Sequence, residues 1–348
     1  MSFHKKLLDW YKENRRAFPW RENTEPYNVW LSEIILQQTR AAQGLPYYES
    51  FISNFPKVEQ LAAAKEDHVM KLWQGLGYYS RARNLHATAK IISDQYQGHF
   101  PTDFVQIKAL KGVGDYTASA IASICFDQEQ AVVDGNVYRV LSRIFGMDHP
   151  IDGSAAHKIF KEKAQDLMKG APPGDFNQAM MEFGALQCVP KNPNCQDCIF
   201  KKECVAFQQA KVSLLPIKVK KVKVKNRYLH YFVLIDESKN TLLQKREGKG
   251  IWQNLYQFPL IETFVKQKHY QDDQLESLMA KHRITSDFEI EKWNDQPIFH
   301  KLTHQHLEIN FWIVNLREGT NLDTSISQIQ DYPMPKVLQN FRDKFFIN

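Results

Sequence analysis

Nothing in the sequence approaches the run of roughly 20 apolar residues that a membrane-spanning helix needs; the longest candidate, Ala118 to Phe126, is far shorter. The first residues, Met1-Ser2-Phe3-His4-Lys5-Lys6, lead directly into an amphipathic pattern and lack the apolar segment and small-residue cleavage site of a secretory signal. A soluble, cytoplasmic protein with no membrane partner is expected. Cysteine is scarce, with five in 348 residues, and four of the five fall between Cys188 and Cys204. In a reducing compartment that clustering argues against disulfides and for metal. Internal repeats and low-complexity tracts are absent. Neither charge sign dominates: 45 Lys and Arg against 39 Asp and Glu leave a net charge of +6. That balance suits a polyanionic partner and equally suits ordinary solubility. With 43% hydrophobic and 24% charged residues, the chain is neither disordered nor fibrous. Its length exceeds what one core usually organises, so two globular units are expected.

From Phe3 to about Ala210 apolar residues recur three and four apart, as in Trp30, Leu31, Ile34, Ile35 and in Val137, Val140, Leu141, Ile144. Breaks such as Asn54-Phe55-Pro56 and Gly98-His99-Phe100-Pro101 separate the segments. This predicts an all-helical domain over residues 1–210. Between residues 211 and 227 the composition changes: Lys211, Lys218, Lys220, Lys221, Lys223, Lys225 and Arg227 occur with no acidic residue among them. The stretch reads as a solvated basic linker. Strand character follows at Tyr228 to Ile235 and at Leu307 to Val314. In the latter, Leu307, Ile309, Phe311 and Ile313 alternate with Glu308, Asn310 and Trp312. Residues 228–348 are therefore expected to form a mixed α and β unit.

Cys188, Cys195, Cys198 and Cys204 form a C-x6-C-x2-C-x5-C array. Four thiolates at such spacing can hold either tetrahedral zinc or a cubane iron-sulfur cluster. Structural zinc sites usually pair two C-x2-C units, whereas this run has one such unit with uneven outer spacings, which favours 4Fe-4S. Cys125 lies in an apolar segment and reads as an inert buried thiol.

The segment Leu110-Lys111-Gly112-Val113-Gly114-Asp115-Tyr116-Thr117-Ala118 lies between two helical patterns. Gly112 and Gly114 allow backbone amides to face a phosphate at the start of the second helix, although such a turn also serves as a plain helical corner. Beyond it, Asp134 precedes Gly135-Asn136-Val137-Tyr138-Arg139-Val140 as a predicted helix N-cap. Backbone hydrogen bonds and the helix dipole there favour the ionised carboxylate. Glu33 interrupts the mostly apolar Val29-Trp30-Leu31-Ser32-Glu33-Ile34-Ile35-Leu36, where burial would favour the protonated form. Two carboxylates in opposite protonation states are what N-glycosidic cleavage needs: an acid for the leaving base and an anion for the oxocarbenium-like sugar.

The cysteine spacing and the hairpin resemble those of the endonuclease III superfamily of helix-hairpin-helix DNA glycosylases. Within it, the chain resembles the MutY-type adenine DNA glycosylases. The resemblance rests on Trp10 to Arg21 (WYKENRRAFPWR), Leu31 to Thr39 (LSEIILQQT), Gly75 to Asn84 (GLGYYSRARN), Leu110 to Ala118, Asp134 to Val137 and the four cysteines. It implies a mainly α glycosylase domain with a 4Fe-4S loop that touches phosphates through Lys191, beside Lys201 and Lys202. It further implies that Glu33 protonates adenine at N7 and that Asp134 stabilises or transiently bonds C1′, with Tyr116 and Asn136 beside them. Arg21 and Gln178 would line the adenine pocket. Gln38, Thr39 and Tyr78 would occupy the space left in the stack around 8-oxoguanine, and Gly112 and Gly114 would meet the DNA backbone. The implied substrate is double-stranded DNA with A opposite 8-oxoguanine or G, and the implied state is a monomer.

The C-terminal unit resembles the Nudix-like domain of the same family, with Gly250 to Pro259 (GIWQNLYQFP) as its clearest marker. It lacks the acidic cluster that holds metal in nucleotide pyrophosphatases and should bind rather than hydrolyse. The family's Phe-Ser-His recognition loop falls on Leu302-Thr303-His304, a departure at two of three positions. An endonuclease III-type glycosylase and lyase would need a nucleophilic lysine where Tyr116 stands, and a phenol cannot form a Schiff base. A noncatalytic iron-sulfur DNA-binding protein would not need both carboxylates, and a nucleotide hydrolase would need the missing metal ligands.

Overall fold

A computed structural model of the protein describes residues 2–219, 224–266, 270–317 and 322–347. Lys220, Lys221 and Lys223 of the basic stretch lie outside the described residues. Backbone contacts divide the chain into two compact units, Met1–Ala64 with Arg83–Lys220, and Lys65–Ala82 with Lys221–Asn348. No helix among the described residues is long and apolar enough to cross a membrane.

The first unit is helical. Helix α1 (Phe3–Asn14) is followed by a 3-10 turn at Pro19–Arg21 and by α2 (Pro26–Leu36), which starts on a proline that needs no amide partner. Tyr27, Val29, Trp30, Leu31, Ser32, Glu33, Ile34 and Ile35 of α2 are all buried, so this helix is enclosed on nearly every side. Helices α3 (Ala41–Asn54) and α4 (Val58–Ala63) follow; α5 (Glu66–Leu72) belongs to the second unit. After α6 (Ser80–Tyr96), Asp103 caps α7 (Phe104–Ala109) by accepting from the Val105 and Gln106 amides at 2.9 and 3.1 Å.

The expected hairpin joins α7 to α8 (Asp115–Phe126). Gly112 holds φ +77°, and a Cβ there would stand 2.6 Å from the Asn84 Cβ, so a glycine is required on both counts. Helix α8 buries the small residues Thr117, Ala118, Ser119, Ala120, Ala122 and Ser123, which lets α2 and α11 (Pro173–Leu186) pack close to it. Helix α9 (Gly135–Phe145) buries Val137, Val140, Leu141 and Ile144 on the predicted face. Together with Phe160 of α10 (Ala156–Met168) and Phe176, Met180 and Phe183 of α11, these form the core around which the site is built. The short α12 (Val205–Gln208) packs against α9.

In the second unit β1 (Lys225–Ile235) runs parallel to β8 (Gln305–Leu316) along its whole length, from Lys225 opposite Gln305 to Ile235 opposite Asn315. Around this pair the sheet adds β2 (Asn240–Thr241), β5 (Leu260–Thr263), β6 (Phe288–Lys292), β7 (Ile298–Lys301) and β9 (Thr324–Ser325). A separate ribbon pairs β3 (Gln244–Lys245) with β4 (Tyr256–Gln257). Along the predicted strand Leu307 to Val314, Asn310 and Trp312 are buried together with Leu307, Ile309, Phe311 and Ile313. Helix α13 (Asp272–Lys281) and Trp312 share one core cluster. The Phe311 ring stacks at 3.9 Å on Phe341 of α14 (Lys336–Arg342). A sheet covered on both faces buries both registers of its central strands.

Candidate active site

Asp134 caps α9 as its sequence position predicts: Oδ1 accepts from the Asn136 and Val137 amides at 2.9 and 2.8 Å, and Oδ2 from Asn136 Nδ2 at 2.8 Å. Glu33, on α2, is buried, with 9% exposure. Burial pushes its carboxyl up to about 7; a hydrogen bond with Tyr116 and the charge of Arg21 oppose the rise, and the Asp134 carboxylate adds to it. Glu33 and Tyr116 thus lie within electrostatic reach of each other, and each lies within reach of Asp134 and Arg21. The Tyr116 hydroxyl also stands 3.1 Å from Met181 Sδ. The single phenol O–H can therefore serve either the Glu33 carboxylate, whose charged form it favours, or the thioether. Burial and the neighbouring carboxylates hold the phenol itself well above its ordinary ionisation range.

One expectation requires correction. The hydrogen bonds that were to keep Asp134 ionised are present and do favour its charged form, yet burial outweighs them and raises this carboxyl too. The two carboxylates are pushed in the same direction. They differ in support, since three hydrogen bonds hold the charge of Asp134 while Tyr116 alone gives a hydrogen bond that lowers Glu33. A carboxyl titrating near neutrality is fit to deliver a proton, and a buttressed carboxylate beside it can face a developing cation.

Helix α11 approaches the N-terminus of α9 at Gly184, where a Cβ would stand 2.5 Å from the Asn136 Cβ. Through that close contact Arg139 donates to Asn136 Oδ1 at 2.8 Å, Gly184 O at 2.7 Å and Cys188 O at 2.7 Å. One turn further, Arg143 donates to Val189 O, Pro190 O and Leu215 O at 2.7, 3.0 and 3.1 Å, and its Nη1 lies 3.6 Å from Cys188 Sγ. Helix α9 therefore carries the aspartate at one end and braces the start of the cysteine loop along its length. Residues Cys188 to Cys204 contain no helix or strand, only turns. The Cys198 thiol feels the charge of Cys188, Cys195 and Cys204, so the four share one neighbourhood. Among the described residues, no three of His, Cys, Asp and Glu converge closely enough to hold a single metal ion. Lys191 is exposed between the first two cysteines. Burial drives the Cys125 thiol up to about 12, far from thiolate chemistry.

Sequence reasoning missed Glu182. Its side chain, 1% exposed, receives two hydrogen bonds from the Arg16 guanidinium at 2.8 Å each, the Arg16 amide at 2.9 Å, and Arg21 at 2.9 and 3.2 Å. Burial alone would raise this carboxyl, but the two arginines hold it down at about 2. Arg21 is thereby fixed, its guanidinium 5.2 Å from the Phe18 ring. Gln178, one helical turn before Glu182, accepts from the Tyr11 hydroxyl at 3.2 Å. That i, i+4 spacing on a helix with apolar neighbours was the available signal. Glu182→Ala should lower unfolding free energy by about 3 kcal/mol, because it strands two cations on one side of a broken network; a denaturant midpoint unchanged from the parent would refute this.

Of the remaining residues singled out from the sequence, Gln38 is exposed just past α2 with φ +57°, and Thr39 is half-buried beside it. Gly114 precedes α8, with open space where a Cβ would stand. Asp115 in the first turn of α8 is neutralised by Lys108 at 2.8 Å and Lys161 at 2.5 Å. In the second unit Tyr78, 47% exposed, sits at φ +47°, and its hydroxyl lies 2.8 Å from Thr303 Oγ1. Left-handed backbone is costly for a bulky residue and concentrates where function imposes it. Leu302, Thr303 and His304 form the tip of the β7–β8 hairpin; Thr303 and His304 are exposed and Leu302 is half-buried.

Residues 31–166 match the HhH-GPD superfamily base excision DNA repair protein family, and residues 230–344 match the NUDIX domain family. The chain is 35% identical to the adenine DNA glycosylase of Buchnera aphidicola subsp. Schizaphis graminum over 99% of this chain and 98% of that protein. It is 42% identical to the Rattus norvegicus adenine DNA glycosylase over 62% of this chain and 44% of that protein. Among solved structures, a thermostable thymine-DNA glycosylase aligns with a TM-score of 0.56 at 31% identity, covering 60% of this chain and 95% of that one.

Proposed function

Because the chain belongs to the adenine DNA glycosylase family, and so is a base excision repair DNA glycosylase, we propose that it hydrolyses the N-glycosidic bond of adenine opposite 8-oxoguanine or guanine in duplex DNA. The observation that carries this reading is the buried Glu33, its carboxyl raised to about 7, grouped with Asp134 and Tyr116. The adenine must leave the stack to reach such a site. Glu33 gives its proton to N7 as the bond from C1′ to N9 breaks and the base takes the electron pair. Asp134 faces the positive charge left on the sugar, held in place by the α9 amides and by Asn136, which Arg139 orients. Water then adds at C1′ and its proton returns to Glu33. Tyr116 offers a hydroxyl where a lyase would need an amine, so the reaction ends at the abasic site.

Arg21, fixed by Glu182, and Gln178 supply donors and an acceptor for the adenine edge. Gln38, Thr39 and Tyr78 fill the emptied stack, and Gly112, Gly114 and Lys191 meet backbone phosphates. Cys188, Cys195, Cys198 and Cys204 would hold one 4Fe-4S cluster, whose contribution is to close and stiffen the loop that carries Lys191. Each thiolate of a cubane binds a different iron, so convergence on a single ion is not required. The enzyme acts as a monomer in the cytoplasm, with residues 1–210 as the glycosylase domain, 211–227 as a basic linker and 228–348 as the lesion-recognition domain, except that residues 65–82 group with the second unit and β1 begins at Lys225.

The test is a panel of duplexes carrying A opposite 8-oxoguanine, A opposite G, thymine glycol, and A opposite T, with alkali revealing abasic sites. Cleavage confined to the first two is expected; release of thymine glycol would favour the lyase reading. Thr303→Ala with His304→Ala should reduce the preference for A opposite 8-oxoguanine, because a hydroxyl can both donate to the C8 oxygen and accept from N7–H. Full preference in that double variant would move lesion reading to Gln38, Thr39 and Tyr78.

Titration sets the pH dependence. A carboxyl raised to about 7 is protonated below that pH and loses its proton above it, so the single-turnover rate should fall about tenfold per pH unit on the alkaline side. The same raised value means the folded state favours neutral Glu33. The penalty for ionising it is absent below the ordinary glutamate range and complete above pH 7, reaching about 3 kcal/mol. Glu33→Gln should therefore raise Tm at pH 8 and leave it nearly unchanged at pH 4; an equal shift at both values would contradict the assignment.

A further inference from the structure

Helix α5 and the turn after it, residues 65–82, group with the C-terminal unit although they lie far from it in sequence. The attachment begins at Asp67. Its Oδ1 takes the Lys245 ammonium at 2.6 Å and its Oδ2 takes the Tyr256 hydroxyl at 3.0 Å. Lys245 and Tyr256 stand directly opposite each other on β3 and β4, with the Lys245 ammonium 5.4 Å from the Tyr256 ring. One carboxylate thus clasps a cross-strand pair. Beside it Asn254, in the left-handed backbone of the β3–β4 turn, donates to Glu66 Oε1 at 2.5 Å. At the other end of α5 the Met334 amide donates to Gln74 Oε1 at 3.2 Å, and Lys71 donates to the Gln330 carbonyl.

From this anchor the chain passes through Gly75 and Gly77, both at positive φ, to Tyr78. The turn is braced internally: Trp73 Nε1 donates to Gly77 O at 3.0 Å, the Gly75 amide donates to Tyr79 Oη at 3.2 Å, and the Arg81 guanidinium lies over Trp73 and Tyr78 at 5.1 and 5.6 Å. The far end of that rigid turn is the Tyr78 hydroxyl on Thr303. A single exposed hydroxyl pair contributes too little to fix one loop on another. The clasp at Asp67 supplies the registration.

We propose that Asp67 is a positioning residue for recognition of the base opposite adenine: it locks the Tyr78 turn to the β7–β8 tip, so that Tyr78 and Thr303 meet the duplex as one preformed surface. This rests on the reading that Tyr78 and Thr303 face the lesion. Asp67 belongs to the second unit and Glu33 and Asp134 to the first, so its loss should act on preference and not on bond cleavage.

The experiment compares single-turnover excision of A opposite 8-oxoguanine and A opposite G in the full-length protein. The variants are Asp67→Asn, Asp67→Glu, Lys245→Ala and the Asp67→Asn, Lys245→Ala double. Amide hydrogen exchange across residues 73–79 is measured in parallel. Asp67→Asn and Lys245→Ala should each lower the preference for 8-oxoguanine roughly five-fold, the scale of one partly exposed ion pair with a hydrogen bond. The double variant should lose little more, because the two residues serve one contact. Asp67→Glu should restore part of the preference, excision of A opposite G should hold its parental rate, and exchange across residues 73–79 should rise. A parent that prefers 8-oxoguanine while Asp67→Asn keeps that preference and the parental exchange would overturn the role of Asp67 alone. A parent with no preference would overturn the lesion reading and this inference with it. A common drop on both duplexes would mark Asp67 as merely structural and would also overturn it.

Discussion

Glu33→Gln and Asp134→Asn should each lower single-turnover adenine excision by roughly 10³-fold, the range a positioned proton donor or a preorganised charge contributes. Duplex affinity should be unchanged, because both substitutions keep shape and neither residue meets phosphate in the proposed arrangement. A glutamine amide in place of the Glu33 carboxyl cannot protonate a leaving base at any pH, so the alkaline fall in rate seen with the parent should vanish from the residual activity. Asp134→Asn is more demanding. An amide there can still accept from the α9 amides through its oxygen, but its NH2 group would face Asn136 Nδ2, which now donates to Oδ2 at 2.8 Å. Some loss of stability is therefore expected alongside the loss of charge. A Tm for each variant separates the two effects, and near-parental excision by either one would remove that residue from the mechanism.

What was legible in the sequence follows the range of the interactions involved. Asp134 was readable as an N-cap because a cap is local: the carboxylate meets amides two and three residues on. Glu33 was readable because a lone acid in an apolar helix that buries nearly all of its residues has no solvated face to turn to. The direction of the Asp134 shift was not, since hydrogen bonds come from its own helix whereas the desolvation that outweighs them comes from the packing of distant elements. Glu182 escaped for the same reason, its partners Arg16 and Arg21 lying more than 160 residues away. In the C-terminal unit the long strands were visible, but the burial of Asn310 and Trp312 depends on helices covering both sheet faces. Asp67 looked like any first-turn acid of a short helix until Lys245 and Tyr256 met it.

Cys198→Ser should abolish the brown colour of the purified protein and its broad visible absorbance, and should unfold the loop from residue 188 to residue 204. The loop has little of its own to hold it. Its backbone makes turn hydrogen bonds such as Lys201 N to Cys198 O at 2.9 Å and Glu203 N to Phe200 O at 3.0 Å, with Phe200 and Cys204 reaching the core. A stretch of that length without helix or strand is stable only when something closes it, and metal coordination adds its binding free energy to folding. A serine hydroxyl replaces the thiolate with a poor iron ligand at nearly the same volume, so packing alone cannot account for a large change. The loss should travel inward along α9: Arg139 and Arg143 take Cys188 O, Val189 O and Pro190 O as acceptors, and Arg139 also orients Asn136 beside Asp134. Excision by Cys198→Ser should therefore fall even in the fraction that stays folded, together with the salt-dependent component of duplex affinity that Lys191 contributes. Iron and zinc analysis of the parent decides the metal. A colourless, zinc-loaded and fully active protein would refute the cluster, and a Cys198→Ser protein with parental Tm and excision would show that the loop closes without it.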